Sequence, residues 1–523
     1  MNACPLVAYS WPWVEAGRLD SRGGDVIEYK AGTPRDQIYL FQHSLEESIE
    51  LDNVVRFIDA YVESLDMGKM GFRMHENRKG APAYRPQAKL KIYIYGYLNR
   101  IRSSRLLETE CGRNPEMMWL VEGLRPDFKT IADFRKDNPE ALKNVFKEFV
   151  LFCYKMGLIS MKVLAVDGTK LRGQNGHGEV YHREKIAEIE RAVDRGLEHY
   201  FEQMEELDRC QDHEGIQIRK EKVAELTRKI QRLTRKGEKV NAAKEFLKEH
   251  PEENAYTGSD PDSRLQKDKG MVQPGYNAQS VVEGKNKLIV VADVSNQQTD
   301  KRLLGTMVEQ LIEVKKGLGI EENSQIVADA GYFNETDVLA YQQGQTIRVT
   351  VPIAAEGQRE STKNDGYRQE KFRYDQEQDT WVCPLGKQLR RITVQSVADK
   401  NGRLTWKYQA NDEDCAACQK RSCCTKGSGG RMLRVSVRHA ELHVYFEQLD
   451  SQERKALIRK RKELVEHPFG TIKRTFGFGH FLQRGLEAVR AEFQFSCFIY
   501  NLKRVFNLIP LGALMAAVDG TEP

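Results

Sequence analysis

A chain of 523 residues, 40% hydrophobic and 30% charged, should bury two to four domain cores. It has no run of eighteen apolar residues, and Met1 to Trp13 lacks a basic start before an apolar core, so neither a transmembrane helix nor a secretory signal is expected. A net charge of +5 permits nucleic-acid binding without demanding it, and ten cysteines without a signal argue for free thiols or metal in a cytoplasmic protein.

Residues 1–84 are unassigned, apart from a surface helix expected over Ser48 to Val62. Residues 85–158 read as an all-helical domain. Leu90, Ile92, Ile94, Tyr97 and Leu98 begin a helix that runs into Arg100, Arg102 and Arg105, and Thr130 with Asp133 is spaced as a capping box. With Arg85, Lys89, Lys91 and Arg113, these arginines form the expected phosphate-binding patch; the alternative is a solvated surface.

Residues 159–345 should hold a mixed sheet. Val163 to Val166 is a buried-strand pattern that ends in Asp167, and Gln325 to Ala328 is another that ends in Asp329. Between them, 184–250 has the spacing of a charged helical hairpin turning at Asp212–Gly215, read as a DNA or partner contact or else a solvated spacer. Tyr276–Glu283 and Leu288–Ser295 form a β-hairpin, followed by a helix over Asp300–Leu318. Without the helical insertion the order is three antiparallel strands, a crossover helix and a fourth strand, which a right-handed crossover lays beside the first. Asp167 and Asp329 would then end adjacent strands. His177 and His182 are near, but their Gly-rich setting favours a mobile loop over a metal site.

Ile347–Ile353 is a further strand, and 346–445 is a β-rich insertion containing cysteines. Cys383, Cys415 and Cys418, with Cys423 or Cys424, could supply four thiolates to Zn²⁺; the alternative is reduced, unligated thiols. The other five cysteines, Cys4 and Cys210 among them, read as ordinary thiols. Residues 446–510 return to helix. Glu466 sits there among cations, and offsets of seven and four residues put Arg459, Lys462, Glu466 and Lys473 on one helical face. Pro468 should disturb that helix at His467, and the alternative is a basic helix with an incidental glutamate. Together Asp167, Asp329 and Glu466 would make a three-carboxylate site, whose hard oxygens select Mg²⁺ or Mn²⁺. Two such ions can activate water at a phosphodiester.

Several ordered blocks carry a resemblance: RPDFKTIADFR, VDGTK at Asp167, SDPDSRLQKDKGMVQPGYNAQSVVE from Ser259, VADVSNQQTD ending at Asp300, ADAGY at Asp329, and VEHPFGTIKRTFG from Val465. From about Arg85 to Leu508 the chain resembles the DDE transposases of bacterial insertion sequences, in the superfamily that includes the insertion sequence 1182 group. The resemblance implies an α/β fold with an RNase H-like catalytic core, the helical N-terminal part binding DNA. It implies Asp167, Asp329 and Glu466 as ligands of two Mg²⁺ or Mn²⁺ ions, and it favours Cys424 as the fourth zinc thiolate. It also implies binding of terminal inverted repeats and target DNA, by a homodimer, with hydrolysis and then strand transfer. Two positions depart from the related signature around the glutamate: Lys462 stands where arginine would, and Arg459 where tyrosine would. A nuclease without strand transfer and a catalytically silent, transposase-derived DNA-binding protein are the competing readings.

Overall fold

The computed structural model describes residues 44–74, 83–209, 216–268, 270–342, 346–352, 367, 371–398, 404–449 and 451–520. The expectations for the N-terminal thirteen residues, Cys4, Cys210 and the 212–215 turn lie outside them. Residues up to Glu50 form a separate unit, of which a short turn at Glu46–Ser48 is described.

The second unit starts with seven helices: α1 (Val54–Ser64), α2 (Met67–Met70), α3 (Pro86–Leu98), α4 (Ser104–Arg113), α5 (Pro115–Leu120), α6 (Phe128–Asp137) and α7 (Pro139–Lys155). The expected surface helix is in fact a core helix. It starts at Val54, and among its apolar residues only Val54 is exposed, while Phe57 and Tyr61 pack edge-on to Phe506 and Phe149. Helix α3 ends at Leu98 rather than running into the arginines, and Arg100 takes a left-handed conformation (φ 64°) that forbids continuation. Helix α6 begins earlier than expected: Asp127, not Thr130, caps it, accepting from the Lys129 and Thr130 amides.

The central sheet comprises β1 (Val163–Arg172), β4 (Arg264–Asp268), β5 (Met271–Glu283), β6 (Ile289–Ser295), β7 (Ser324–Val327) and β8 (Ile347–Thr350). Strand β5 is antiparallel to β1 along one edge and pairs with β4 and then β6 along the other. On the far side of β1 run β7 and β8, both parallel. Helix α10 (Leu303–Gly317) connects β6 to β7, and α11 (Glu335–Ala340) connects β7 to β8.

The expected hairpin insertion is α8 (Ile186–Arg209) and α9 (Ile216–Glu249), rooted by the small ribbon of β2 (Val180–His182) and β3 (Ala255–Thr257). His182 is therefore in a paired strand rather than a loop. Gly196 lets the two helices approach, since a Cβ there would meet Leu233 at 2.7 Å.

The cysteine-bearing insertion is a second sheet of β9 (Arg373–Asp375), β10 (Thr380–Val382), β11 (Gln388–Arg391), β12 (Val397–Ala398), β13 (Leu404–Ala410) and β14 (Met432–Ser436), with two short helices, α12 (Asp412–Ala416) and α13 (Arg421–Cys424). The chain ends in α14 (His439–Leu449), α15 (Gln452–Gly470), α16 (Leu486–Phe506) and α17 (Leu511–Val518). Helix α16 packs against α3, α7 and β6, so the N-terminal helices share a core with the C-terminal ones. No helix among the described residues is long and apolar enough to cross a membrane.

Candidate active site

Helix α15 lies on the sheet because Leu464 and Val465 close over Ala165 of β1 and Val327 of β7. That seating puts Arg461, one turn earlier, over the tops of the same two strands. Ala165 is level with Val327, so Asp167 and Asp329, two residues further along each chain, come level as well. Asp329 follows the end of β7, where its side chain accepts from the Gly331 amide at 2.7 Å. Asp167 does not end its strand: β1 continues to Arg172, held by β5 and, at Arg172, by a bridge to His480 once β7 has stopped.

One nitrogen of Arg461, Nη2, donates to Asp167 Oδ1 at 2.9 Å and to Asp329 Oδ2 at 3.1 Å. Burial pushes the Asp167 carboxyl up to about 6; Arg461 opposes that shift, while Asp329 and Asp300 add to it. Asp300 sits behind the pair, accepting from Asn277 at 2.7 Å, Gln279 at 3.1 Å and Lys170 at 3.4 Å. Gln279 in turn accepts from the buried Tyr332 hydroxyl. The glycine of VDGTK makes room for this layer, since a Cβ on Gly168 would meet Gln279 at 2.2 Å and the Tyr332 hydroxyl at 3.0 Å. Sequence reasoning missed Arg461, Asp300, Gln279 and Tyr332 as site residues. The VADVSNQQTD block was a signal for Asp300, but nothing in the run RKRK singles out Arg461.

Glu466 is exposed on α15 and makes no ion pair or hydrogen bond among the described residues. Helical spacing puts it about 7.5 Å further along the axis than Arg461 and about 140° around it. Arg459 and Lys462 are exposed as well. Helix α15 does not break at Pro468; it runs to Gly470 and passes into a π-helical turn, Thr471–Thr475. Lys473, on that turn, donates to the Lys170 carbonyl at 2.9 Å and lies 3.9 Å from Asp268, so it is tied to β1 and the β4 end rather than extended to solvent.

The expected phosphate-binding patch is divided: Lys89, Lys91 and Arg102 are buried, while Arg85, Arg100, Arg105 and Arg113 are exposed. Arg102 is buried against Glu492 of α16 at 2.9 Å, and it also donates to the Gly477 and His480 carbonyls. Lys91 is buried between Asp59 and Glu63, and Arg113 pairs with Glu110. Arg100 and Arg105 stay exposed, Arg105 over the Phe128 ring at 5.1 Å.

In the second sheet, Cys383, Cys415, Cys418 and Cys424 line one cavity of about 30 Å³, while Cys423 does not. The sulfurs of Cys383 and Cys415 accept from the Lys387 and Arg431 amides, both at 3.3 Å. All are free thiols. Among the described residues, no three His, Cys, Asp or Glu side chains stand as a ready-made metal site, in either place.

Two family models match the chain: a transposase DDE domain over residues 382–506 and a transposase domain (DUF772) over residues 43–137. The DDE match covers Glu466 and most of the cysteine-bearing insertion. No curated protein matches. Among solved structures, the chain is similar to one titled "Cryo-EM structure of piggyBac transposase synaptic complex with hairpin DNA", at 9% identity and a TM-score of 0.28, covering 90% of this chain and 77% of that one. A likeness that slight assigns no role to any residue of this chain.

Proposed function

We infer that this DNA transposase, a DDE type of the insertion-sequence kind, does its chemistry where Asp167, Asp329 and Glu466 meet the DNA, and that its core is RNase H-like. The supporting feature for the core is strand order. Apart from the short edge strand β4, three antiparallel strands (β1, β5, β6) come first in the chain and then two strands parallel to the first (β7, β8).

One observation carries the assignment of the site. Two carboxylates from separate strands share one guanidinium nitrogen, so their bonded oxygens lie no more than 6.0 Å apart, the sum of the two bonds. Hard carboxylate oxygens drawn that close suit Mg²⁺ or Mn²⁺. Asp167, Asp329 and Glu466 would hold Mg²⁺ or Mn²⁺. The bound ions would supply a water acidic enough to attack a phosphodiester and charge to stabilise the leaving oxygen. The chain's own part is to orient. Asp300, Gln279 and Tyr332 fix the floor beneath Asp167, while Arg459 and Lys462 offer cations to the strand beside Glu466. The same centre would serve hydrolysis and then strand transfer, in a homodimer that holds both ends. The four thiols around the 30 Å³ cavity would take a structural Zn²⁺.

The test is cleavage of the element's own end DNA with Mg²⁺. Asp329→Asn and Glu466→Gln should each abolish cleavage while leaving end binding nearly intact. Cleavage by either variant at the wild-type rate would refute the assignment.

A further inference from the structure

A wide groove lies on the helical hairpin, lined by none of the three carboxylates of the proposed site. It is open, about 960 Å³, and runs between α9 and the turn that precedes β2. Arg228, Arg232, Arg235, Lys236 and Lys239 line it from α9, with Glu179 opposite. Lys239 pairs with Glu179 at 2.6 Å, which neutralises that carboxylate. Arg228, Arg232, Arg235 and Lys236 are exposed and make no ion pair or hydrogen bond among the described residues. Helical spacing puts these five cations within about 100° of arc. Between 228 and 239 that arc of α9 holds no carboxylate.

Several other cations of the hairpin are matched, Lys229 with Glu225 at 2.7 Å, Lys244 with Glu190 at 2.7 Å and Arg219 with Asp208 at 3.3 Å, so what sets the groove apart is four unmatched cations side by side on one arc. The adjoining face of α9 buries Leu226, Val240 and Leu247. A stripe of unmatched cations next to a packed face has a cost in self-repulsion, which an anion relieves.

We propose that the hairpin is a DNA-binding arm whose groove takes the phosphate backbone of a duplex without reading its sequence. The proposal rests on the chain acting on DNA. Residues 228 to 239 run about 16 Å along the helix axis, which passes about five phosphates of one strand at 3.4 Å each. Three of the four unmatched groups are guanidinium forks, suited to two-point contact with phosphate oxygens. Base edges are read by side chains entering a groove of the DNA; this site is a concave cationic channel that encloses a backbone instead.

The experiment is binding of the full chain to a short fluorescent duplex of arbitrary sequence, at KCl from about 50 to 200 mM. Replacing Arg228, Arg232, Arg235 and Lys236 by Gln should flatten the slope of log affinity against log salt by about 3 to 4, since each phosphate contact contributes about 0.9. Replacing the three arginines by Lys should keep the slope. All four positions are exposed, so melting should not change; should the quadruple variant fail to fold, Arg232→Gln alone should flatten the slope by about 1. An unchanged slope in a wild type that binds DNA would overturn the arm and leave the transposase reading standing, the stripe then serving an acidic protein or solvent. No duplex binding by the wild type at all would sink both.

Discussion

The same nitrogen of Arg461 donates to Asp167 and to Asp329, two residues carried by different strands. A guanidinium there does what a divalent cation would do: it offsets the repulsion of two carboxylates drawn together by the sheet. Arg461 and the ions therefore compete for the same oxygens. Arg461→Ala should lower the metal-free stability by about 2 kcal/mol, between the values for exposed and buried pairs. It should also increase the rise in melting temperature that Mg²⁺ produces, because the ions then bind without displacing a partner. Thermal melts with and without Mg²⁺ check both; an equal Mg²⁺ shift in the two proteins would contradict the competition.

Asp167 makes the metal-free protein sensitive to pH. Its folded pKa of about 6 lies above the ordinary 3.8, so between those values the folded chain holds the proton more tightly than the unfolded chain. Stability from this group is thus full at low pH and lost as pH rises through about 6. From about pH 4 to 7, wild type should lose melting temperature relative to Asp167→Asn. A difference that does not vary with pH would refute this.

Arg102 should behave as a structural residue. Glu492 is fully buried beneath it and two carbonyls are further acceptors; Arg102→Ala leaves Glu492 with Arg135 at 3.8 Å and the Leu482 and Gln483 amides, and leaves the two carbonyls without this donor. The expected cost is about 2–3 kcal/mol in stability, that of hydrogen bonds to a charged group. Duplex affinity of the folded fraction should be nearly unchanged, in contrast to the hairpin variants. Equal melting of Arg102→Ala and wild type would contradict the burial.

The cysteine cavity predicts metal content. Protein purified without chelator should contain about one zinc per chain, and Cys418→Ser should lose it together with the fold of the second sheet. Elemental analysis decides; zinc-free protein with an intact second sheet would leave the thiols as reduced side chains.

Much of the sheet was legible because aliphatic runs ending in carboxylates mark strands, and a crossover helix fixes which strands are neighbours. The convergence of Asp167 with Asp329 follows from that alone. Arg461 was not legible: in the run RKRK, periodicity does not say which cation faces inward until Leu464 and Val465 find Ala165 and Val327. The burial of Lys91 and Arg102 within the expected phosphate patch was not legible for a related reason. Counting lysines and arginines ignores partners far away in sequence, and Lys91 finds Asp59 and Glu63, as Arg102 finds Glu492. The SDPDSR block has a structural reason of its own. Asp260 accepts from Tyr276 and from the Gly485 amide, and Asp262 accepts from the Leu486 amide at the start of α16.

The most direct measurement is anomalous diffraction from crystals of the chain with its end DNA, soaked in Mn²⁺. Two peaks about 3.5–4 Å apart should appear between Asp167 and Asp329, with a Glu466 oxygen bonded to one of them and Arg461 moved off the carboxylates. Peaks elsewhere, or Arg461 still bridging both aspartates on bound DNA with no ion between them, would contradict the account.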